Sequence, residues 1–360
     1  MSRPAGEHGA IADEAGGEEE HVTEETATGT GAATGTGAAT GTGAATGTVA
    51  VVGAGGVGAF FAGYLLAAGR ADVTLCVRTP FDELVVESER WGETLRFRPH
   101  VVADPAVLTG ALEAPVDWVL LATKAHQTDG AAGWLRALTG AGTTVVVLQN
   151  GVEQVERVRP HVEPGTRIVP GIVYSGVEPL APGRIVHRTN GFVLVPERDP
   201  DEGFAPEDAA RLDALFASDR GFVRTVADVT TALWQKLCAN VVANGITALT
   251  GRRIEVLRRD DVRRVALALA EECLAVGRAE GASIGDDFAA ATIDRMVDMP
   301  AGAGSSMLFD RLAGRTLEHD ALYGAVARAG HRHGIATPTS DAVGALLAAV
   351  SDVLGGREGA

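Results

Sequence analysis

Near its start the chain reads G-x-G-x-x-G through Gly53, Ala54, Gly55, Gly56, Val57 and Gly58. An apolar run (residues 49–53) precedes these six residues, and a helix-like run (residues 56–68), ended by Gly69, follows. The pattern is restrictive because each glycine answers a different backbone demand. The first makes a tight strand-to-helix turn, the second lets main chain approach a pyrophosphate, and the third lets helix and strand pack closely, with the phosphates at the positive end of the helix. A glycine-rich turn in another α/β domain would show the same letters, so the flanking strand and helix carry much of the inference. The expected fold is α/β, a Rossmann-type doubly wound parallel sheet followed by an all-helical C-terminal domain.

The rest of the chain follows the same logic. A second strand is expected at residues 72–77, with later ones at 117–122, 143–148, 167–173, 184–187, 192–195 and 222–226, and a helix near 207–218. The early strands are apolar throughout and alternate with helical segments, which predicts a parallel sheet covered on both faces. After Asp228 only helical patterns remain, at residues 230–249, 261–280, 286–297, 318–333 and 340–354. The expected division is therefore a low-complexity tail (1–47), a dinucleotide-binding domain (48–227) and a helical substrate domain (228–355). The tail contains repeats of TGTGAA from residue 28 and has nothing to bury, so disorder is expected there. It also skews the charge: of the net −16, eight acids and one base in residues 1–47 account for −7. The remaining −9 argues against nucleic acid as a partner. No apolar run reaches the length of a membrane span and no signal-peptide pattern opens the chain, so a cytoplasmic protein is expected. Cys76, Cys238 and Cys273 lie in apolar segments without metal-like spacing and read as reduced core thiols.

Candidate ligands sit where the predicted strands end. Arg78 stands twenty positions past Gly58, where NAD-binding sites carry an acid for the ribose. A guanidinium there suits a 2′-phosphate instead, so NADP(H) is favoured over NAD, although an arginine at a strand end can also be plain surface. Lys124 and Asn150 close two successive strands at the edge where ligands collect; each alone would pass for a loop residue. Within residues 233–248, a segment apolar nearly all round, Lys236, Asn240 and Asn244 recur every fourth residue. They form a row drifting about 40° per step. Trp234, Leu237, Cys238, Val241, Val242 and Ile246 cover the remaining surface. Polar heads aligned on a mostly buried helix need a polar partner, either a substrate or, if the stripe is exposed, water.

Taken together the motifs resemble the ketopantoate reductase (2-dehydropantoate 2-reductase) family over about residues 49–347. They are GAGGVG at Gly53, ATKAHQ around Lys124, LQNG around Asn150, WQKLCANVVAN around Lys236, SSMLFD from Ser305, RTLEHDALYG around Glu318 and GIATPTSD near Pro338. The resemblance implies a Rossmann-type domain and a helical domain with the active site in the cleft between them. It implies that Arg78 and Lys124 hold the adenosine 2′-phosphate of NADPH, and that Asn150 lies near the nicotinamide and substrate. Lys236 would be the catalytic lysine, with Asn240, Asn244 and Ser306 on the substrate's polar groups. Glu318 would complete the site by pairing with Lys236 or accepting a substrate hydroxyl; the plainer alternative is an acid at a helix start, facing the macrodipole. Ser305 or Ser306 could likewise simply begin a helix. The implied reaction is reduction of 2-dehydropantoate to pantoate for pantothenate and coenzyme A synthesis. Arg252-Arg253-Ile254 departs from the Asn-Gly common in family members, which leaves room for a different 2-oxo acid. A non-catalytic NADP(H)-binding sensor is the remaining alternative, against which Lys236, Asn240, Asn244 and Glu318 together argue; helical second domains of this kind often self-associate, as in a homodimer.

Overall fold

Short apolar tetrapeptides build the central sheet of the computed structural model, which describes residues 47–70, 72–109, 114–199, 201–300 and 302–356. Residues 1–46, which hold nearly all of the expected tail, lie outside the described residues. Strands β1 (Val49–Val52), β2 (Val73–Cys76), β5 (His100–Val102), β6 (Trp118–Leu121), β7 (Thr144–Val147) and β8 (Arg167–Pro170) form a six-stranded, wholly parallel sheet in the order β5-β2-β1-β6-β7-β8. β1, β6 and β7 are buried at every position, as expected for strands covered on both faces. The chain runs outward from β1 on one side and then returns to β6 on the other. The order therefore reverses beside β1, and a crevice for a ligand opens outside the carboxyl ends of β1 and β6. Helices α1 (Gly56–Ala67), α2 (Pro105–Leu108), α3 (Thr128–Leu138) and α4 (Gln154–Val158) connect the strands, and α5 (Pro206–Ala214) follows them.

A second sheet departs from the expected single parallel one. Strands β3 (Leu84–Ser88), β4 (Glu93–Phe97), β9 (Ile172–Ala181), β10 (Arg184–Pro196) and β11 (Val223–Val226) run β11-β10-β3-β4, with β9 antiparallel on β10. The segment expected as one strand at 167–173 breaks at Gly171, so β8 joins the first sheet and β9 the second. The two short strands expected at 184–187 and 192–195 are the ends of one long strand, β10. The second sheet explains why α1 is apolar all round. Phe60, Phe61, Tyr64 and Leu65 are all buried because α1 meets β1 and β2 on one side and β3, β4, β9 and β10 on the other.

From Val229 onward the described residues are helical: α6 (Val229–Thr250), α7 (Asp260–Ala279), α8 (Phe288–Val297), α9 (Ser306–Leu312), a π-helical turn (Asp320–Gly324), α10 (Ala325–His333) and α11 (Pro338–Leu354). Asp228 caps α6 by accepting the Thr231 N–H, and Gly251 ends it in the left-handed conformation at φ 68°. α6 packs against α7, α9 and α11. Its Trp234, Leu237, Cys238, Val241, Val242 and Ile246 are all buried, each large side chain contributing about 1.5–3 kcal/mol. Cys76, Cys238 and Cys273 are free, buried thiols. No helix among the described residues is long and apolar enough to cross a membrane.

Candidate active site

A cleft of about 770 Å³ opens along the glycine-rich turn, the carboxyl ends of the parallel strands and the polar row of α6. Gly53, Ala54, Gly55, Gly56 and Val57 line it together with Arg78, Lys124, Asn150, Lys236, Asn240, Ser306 and Glu318. Residues expected from motifs spread over most of the chain thus converge on one cavity. Gly58 and Asn244 do not line it. Gly58 is where α1 presses on the turn, and a Cβ there would stand 1.9 Å from the Gly53 carbonyl oxygen. No side chain fits. Gly55, by contrast, has open space around it, and α1 starts without a side-chain cap. The first N–H groups of a helix have no intrahelical partner, so this turn offers a pyrophosphate both room and donors.

Asn244 corrects the reading of the polar row. It is 3% exposed, and its Oδ1 accepts the Met307 N–H at 3.0 Å and the Ser306 hydroxyl at 3.2 Å. After two steps the row has drifted about 80°, enough to carry the third head off the cleft and into the packing against α9. From Asn244 a chain of bonds leads back to the cleft. Asn244 Nδ2 donates to Asn240 Oδ1 (3.3 Å), Asn240 Nδ2 to Asn150 Oδ1 (3.4 Å), and Asn150 Nδ2 to Glu318 Oε2 (3.2 Å). These bonds set the direction of every amide in the relay. Ser305, not Ser306, caps α9, accepting the Leu308 N–H.

Glu318 stands just before the π-helical turn and is 4% exposed. Its partner is not Lys236. The carboxylate accepts from Lys124 Nζ at 3.1 Å, from the Ala125 N–H at 3.0 Å and from Asn150. Burial pushes its pKa up, but the Lys124 ammonium and these hydrogen bonds outweigh it and hold the acid below the usual carboxylate range. Lys124 also reaches Asp310 Oδ2 at 2.7 Å, and Arg315 Nε bonds the other oxygen of Asp310 at 2.8 Å. Burial lowers the pKa of Lys124, yet the two carboxylates overturn that and hold it above the ordinary lysine value. Engaging a phosphate would take this ammonium away from both acids. The Gly151 backbone turns here at φ 106°, and a Cβ on it would lie 2.7 Å from the Ala321 carbonyl oxygen of the π-helical turn. Glycine is therefore what lets the Asn150 loop seat against the segment carrying Glu318.

Lys236 stands apart from this network. No hydrogen bond or ion pair holds its ammonium among the described residues. Its Nζ lies 4.4 Å from the centre of the Tyr174 ring, a cation–π contact. Desolvation alone pulls its pKa below the ordinary lysine value. Arg78 is exposed at the end of β2, and its guanidinium likewise has no such partner among the described residues. Sequence reasoning passed over Tyr174 and Asp310. Asp310 was visible inside SSMLFD, whereas Tyr174 gave no signal, because it lies beyond the strand expected at 167–173. The unusual Arg253 stacks its guanidinium 5.0 Å from the ring centre of Phe309, which lines the cleft, while Arg252 pairs with Glu255.

An ammonium free of anions among the described residues, facing the cavity served by a glycine-rich turn, can stabilise a developing oxyanion and pass it a proton. The family model for ketopantoate reductase PanE/ApbA matches residues 49–200, and the model for its C-terminal part matches residues 228–351. The chain is 38% identical over 299 residues to 2-dehydropantoate 2-reductase of Caulobacter vibrioides (83% of this chain, 97% of that protein). It is 40% identical over 307 residues to the enzyme of that name from Mycobacterium tuberculosis (83% and 96%). A crystal structure of a PanE/ApbA family ketopantoate reductase from Ralstonia eutropha JMP134 superposes with a TM-score of 0.73 at 30% identity, covering 86% of this chain and 99% of that one.

Proposed function

The chain belongs to the ketopantoate reductase PanE/ApbA family, and on that premise we propose that it reduces 2-dehydropantoate to pantoate with NADPH, a step of pantothenate and coenzyme A synthesis. The observation that carries this reading is the Lys236 ammonium, facing the glycine-lined cleft without an anionic partner among the described residues. Bound NADPH supplies the hydride. Lys236 stabilises charge gathering on the C2 oxygen of the substrate and donates the proton to it. Asn150, Asn240 and Ser306 orient the substrate's polar groups, and Asn244 holds Asn240 and Ser306 in place from behind. Glu318 fixes Asn150 and Lys124 in the cleft wall. The cofactor-binding and substrate-binding parts divide near residues 227–228.

The turn from Gly53 to Gly58 receives the pyrophosphate, and Arg78 reads the 2′-phosphate. Lys124 lies in the same cleft but reaches a phosphate only by exchanging a carboxylate for it. Arg78→Ala is expected to raise the KM for NADPH by about 10–100-fold, the loss of a charge-assisted hydrogen bond. The KM for NADH should stay within about threefold, since NADH offers no 2′-phosphate to lose. Initial rates with both cofactors check this, and equal losses would remove Arg78 from the reading.

A second reading, reduction of a different 2-oxo acid by the same residues, is favoured by Arg253 bracing the cleft through Phe309. Comparing kcat/KM for 2-dehydropantoate with smaller and larger 2-oxo acids decides between them. A preference of tenfold or more for another acid would favour the second.

A further inference from the structure

Gln154 and Lys236 are two polar groups with complementary needs that line the same small cavity. Gln154, at the start of α4, is 2% exposed. Its Nε2 donates to the carbonyl oxygens of Gln149 and Gly171. These two bonds fix the orientation of the amide, because a flip would set oxygen against oxygen. Gln154 Oε1 is thereby left buried with no hydrogen-bond partner among the described residues. The Lys236 ammonium has three protons to donate, and the Tyr174 ring, a π face, supplies no oxygen to receive them. Gln154 and Lys236 both line one cavity of about 10 Å³, shared with Asn150 and Asn240. A space of about 10–15 Å³ takes one water molecule when two or more polar partners are at hand.

The geometry points to a water bound between Gln154 Oε1 and Lys236 Nζ, which makes Gln154 a positioning residue for the acid. The water donates to the amide oxygen and accepts from the ammonium, so each of these groups gains a partner in the same molecule. Its effect is to favour the charged lysine and to aim it, since a buried donor without an acceptor is destabilised. Among the described residues no competing titratable group holds Lys236. On the elements packed against α6, Tyr174 of β9 presents its ring, Cys273 of α7 meets Cys238, and Tyr323 of the π-helical turn bonds the Val241 carbonyl. On α9, Asp310 is engaged by Lys124 and Arg315, and Arg311 by the carbonyls of Ala248 and Leu249.

The inference rests on Lys236 being the acid, and its test separates the two ideas. In the full-length enzyme, Gln154→Met keeps the volume and removes the acceptor. The alkaline limb of kcat/KM for 2-dehydropantoate reduction should then move to lower pH by about one unit, a tenfold loss of proton affinity. A purely structural glutamine would lower the melting temperature and leave the limb where it was. Should Gln154→Met not fold, a high-resolution crystal structure of the unaltered holoenzyme gives the answer directly. A water within about 2.6–3.2 Å of both atoms supports the inference. Density without one overturns it, as does an unmoved limb in the folded variant. If Lys236→Ala is impaired while the Gln154→Met limb stays put, the water alone is wrong. If Lys236→Ala reacts as fast as the parent, the proposed acid is wrong.

Discussion

Lys236→Ala is expected to lower kcat for 2-oxo acid reduction by about 10²–10⁴-fold, the range for losing a positioned general acid. The fall should appear mainly in kcat, because the charge the ammonium meets develops only as the carbonyl is reduced. Folding should not suffer. Burial has already pulled the pKa of this lysine down with no carboxylate to offset it. Its charged form is therefore less favoured in the fold than in the unfolded chain, and removing it relieves that penalty, which is fully present below the depressed folded pKa and is lost as pH rises from there to the ordinary lysine value. A melting temperature equal to or above the parent's, together with the lost turnover, would mark Lys236 as chemical rather than structural. The parent should lose activity as pH rises through the lysine's pKa, at a value below the ordinary lysine range. Parental turnover in the alanine variant would sink the assignment.

How far the site was legible depended on how local each signal was. The turn from Gly53 to Gly58 could be read because a strand, three glycines and a helix follow one another within about twenty residues. The row on α6 could be read because a helix converts spacing into direction, yet the same geometry that aligned Lys236 with Asn240 carried Asn244 out of the cleft. The second sheet was less visible. β4 alternates partly exposed with exposed positions and β9 is only partly buried along most of its length, so neither shows the apolar run that marks β1 or β6. Its partners come from far along the chain, as when β10 pairs with β3 about a hundred residues earlier. Glu318 was expected at the cleft, which it lines, but not with its partner. Lys124 lies 194 positions away, and no periodicity within either segment encodes that meeting. Tyr174 was invisible for the same reason: what matters is the ammonium that α6 brings over its ring.

Lys124→Met should destabilise the protein by about 2–3 kcal/mol. Breaking a buried ion pair by removing one partner typically costs about 3–5 kcal/mol. The lower figure applies because the Lys124 side chain is 35% exposed and partly screened by solvent. Asp310 retains Arg315, and Glu318 retains the Ala125 N–H and Asn150, so neither acid is wholly abandoned. For a chain of this size the melting midpoint should fall by about 3–5 °C. Adding Glu318→Gln to Lys124→Met should recover part of that loss, because a neutral amide can still accept the Ala125 N–H and leaves no unpaired charge. The pH dependence carries a definite sign. The pKa of Glu318 is depressed, so its contribution is present above the ordinary glutamate value of about 4.3 and is lost as pH falls through the lower folded value. The pKa of Lys124 is raised, so its contribution is present below the ordinary lysine value of about 10.4 and is lost as pH rises through the higher folded value. In the variant, burial acts on Glu318 with that ammonium gone, and acid neutralises the stranded carboxylate. The stability gap between parent and variant should therefore be full near pH 7 and narrow as the solution is acidified. Denaturant melts at several pH values check this, and a gap below about 1 kcal/mol at neutral pH, the range of an exposed pair, would show that Lys124, Asp310 and Glu318 are held together by packing rather than by charge.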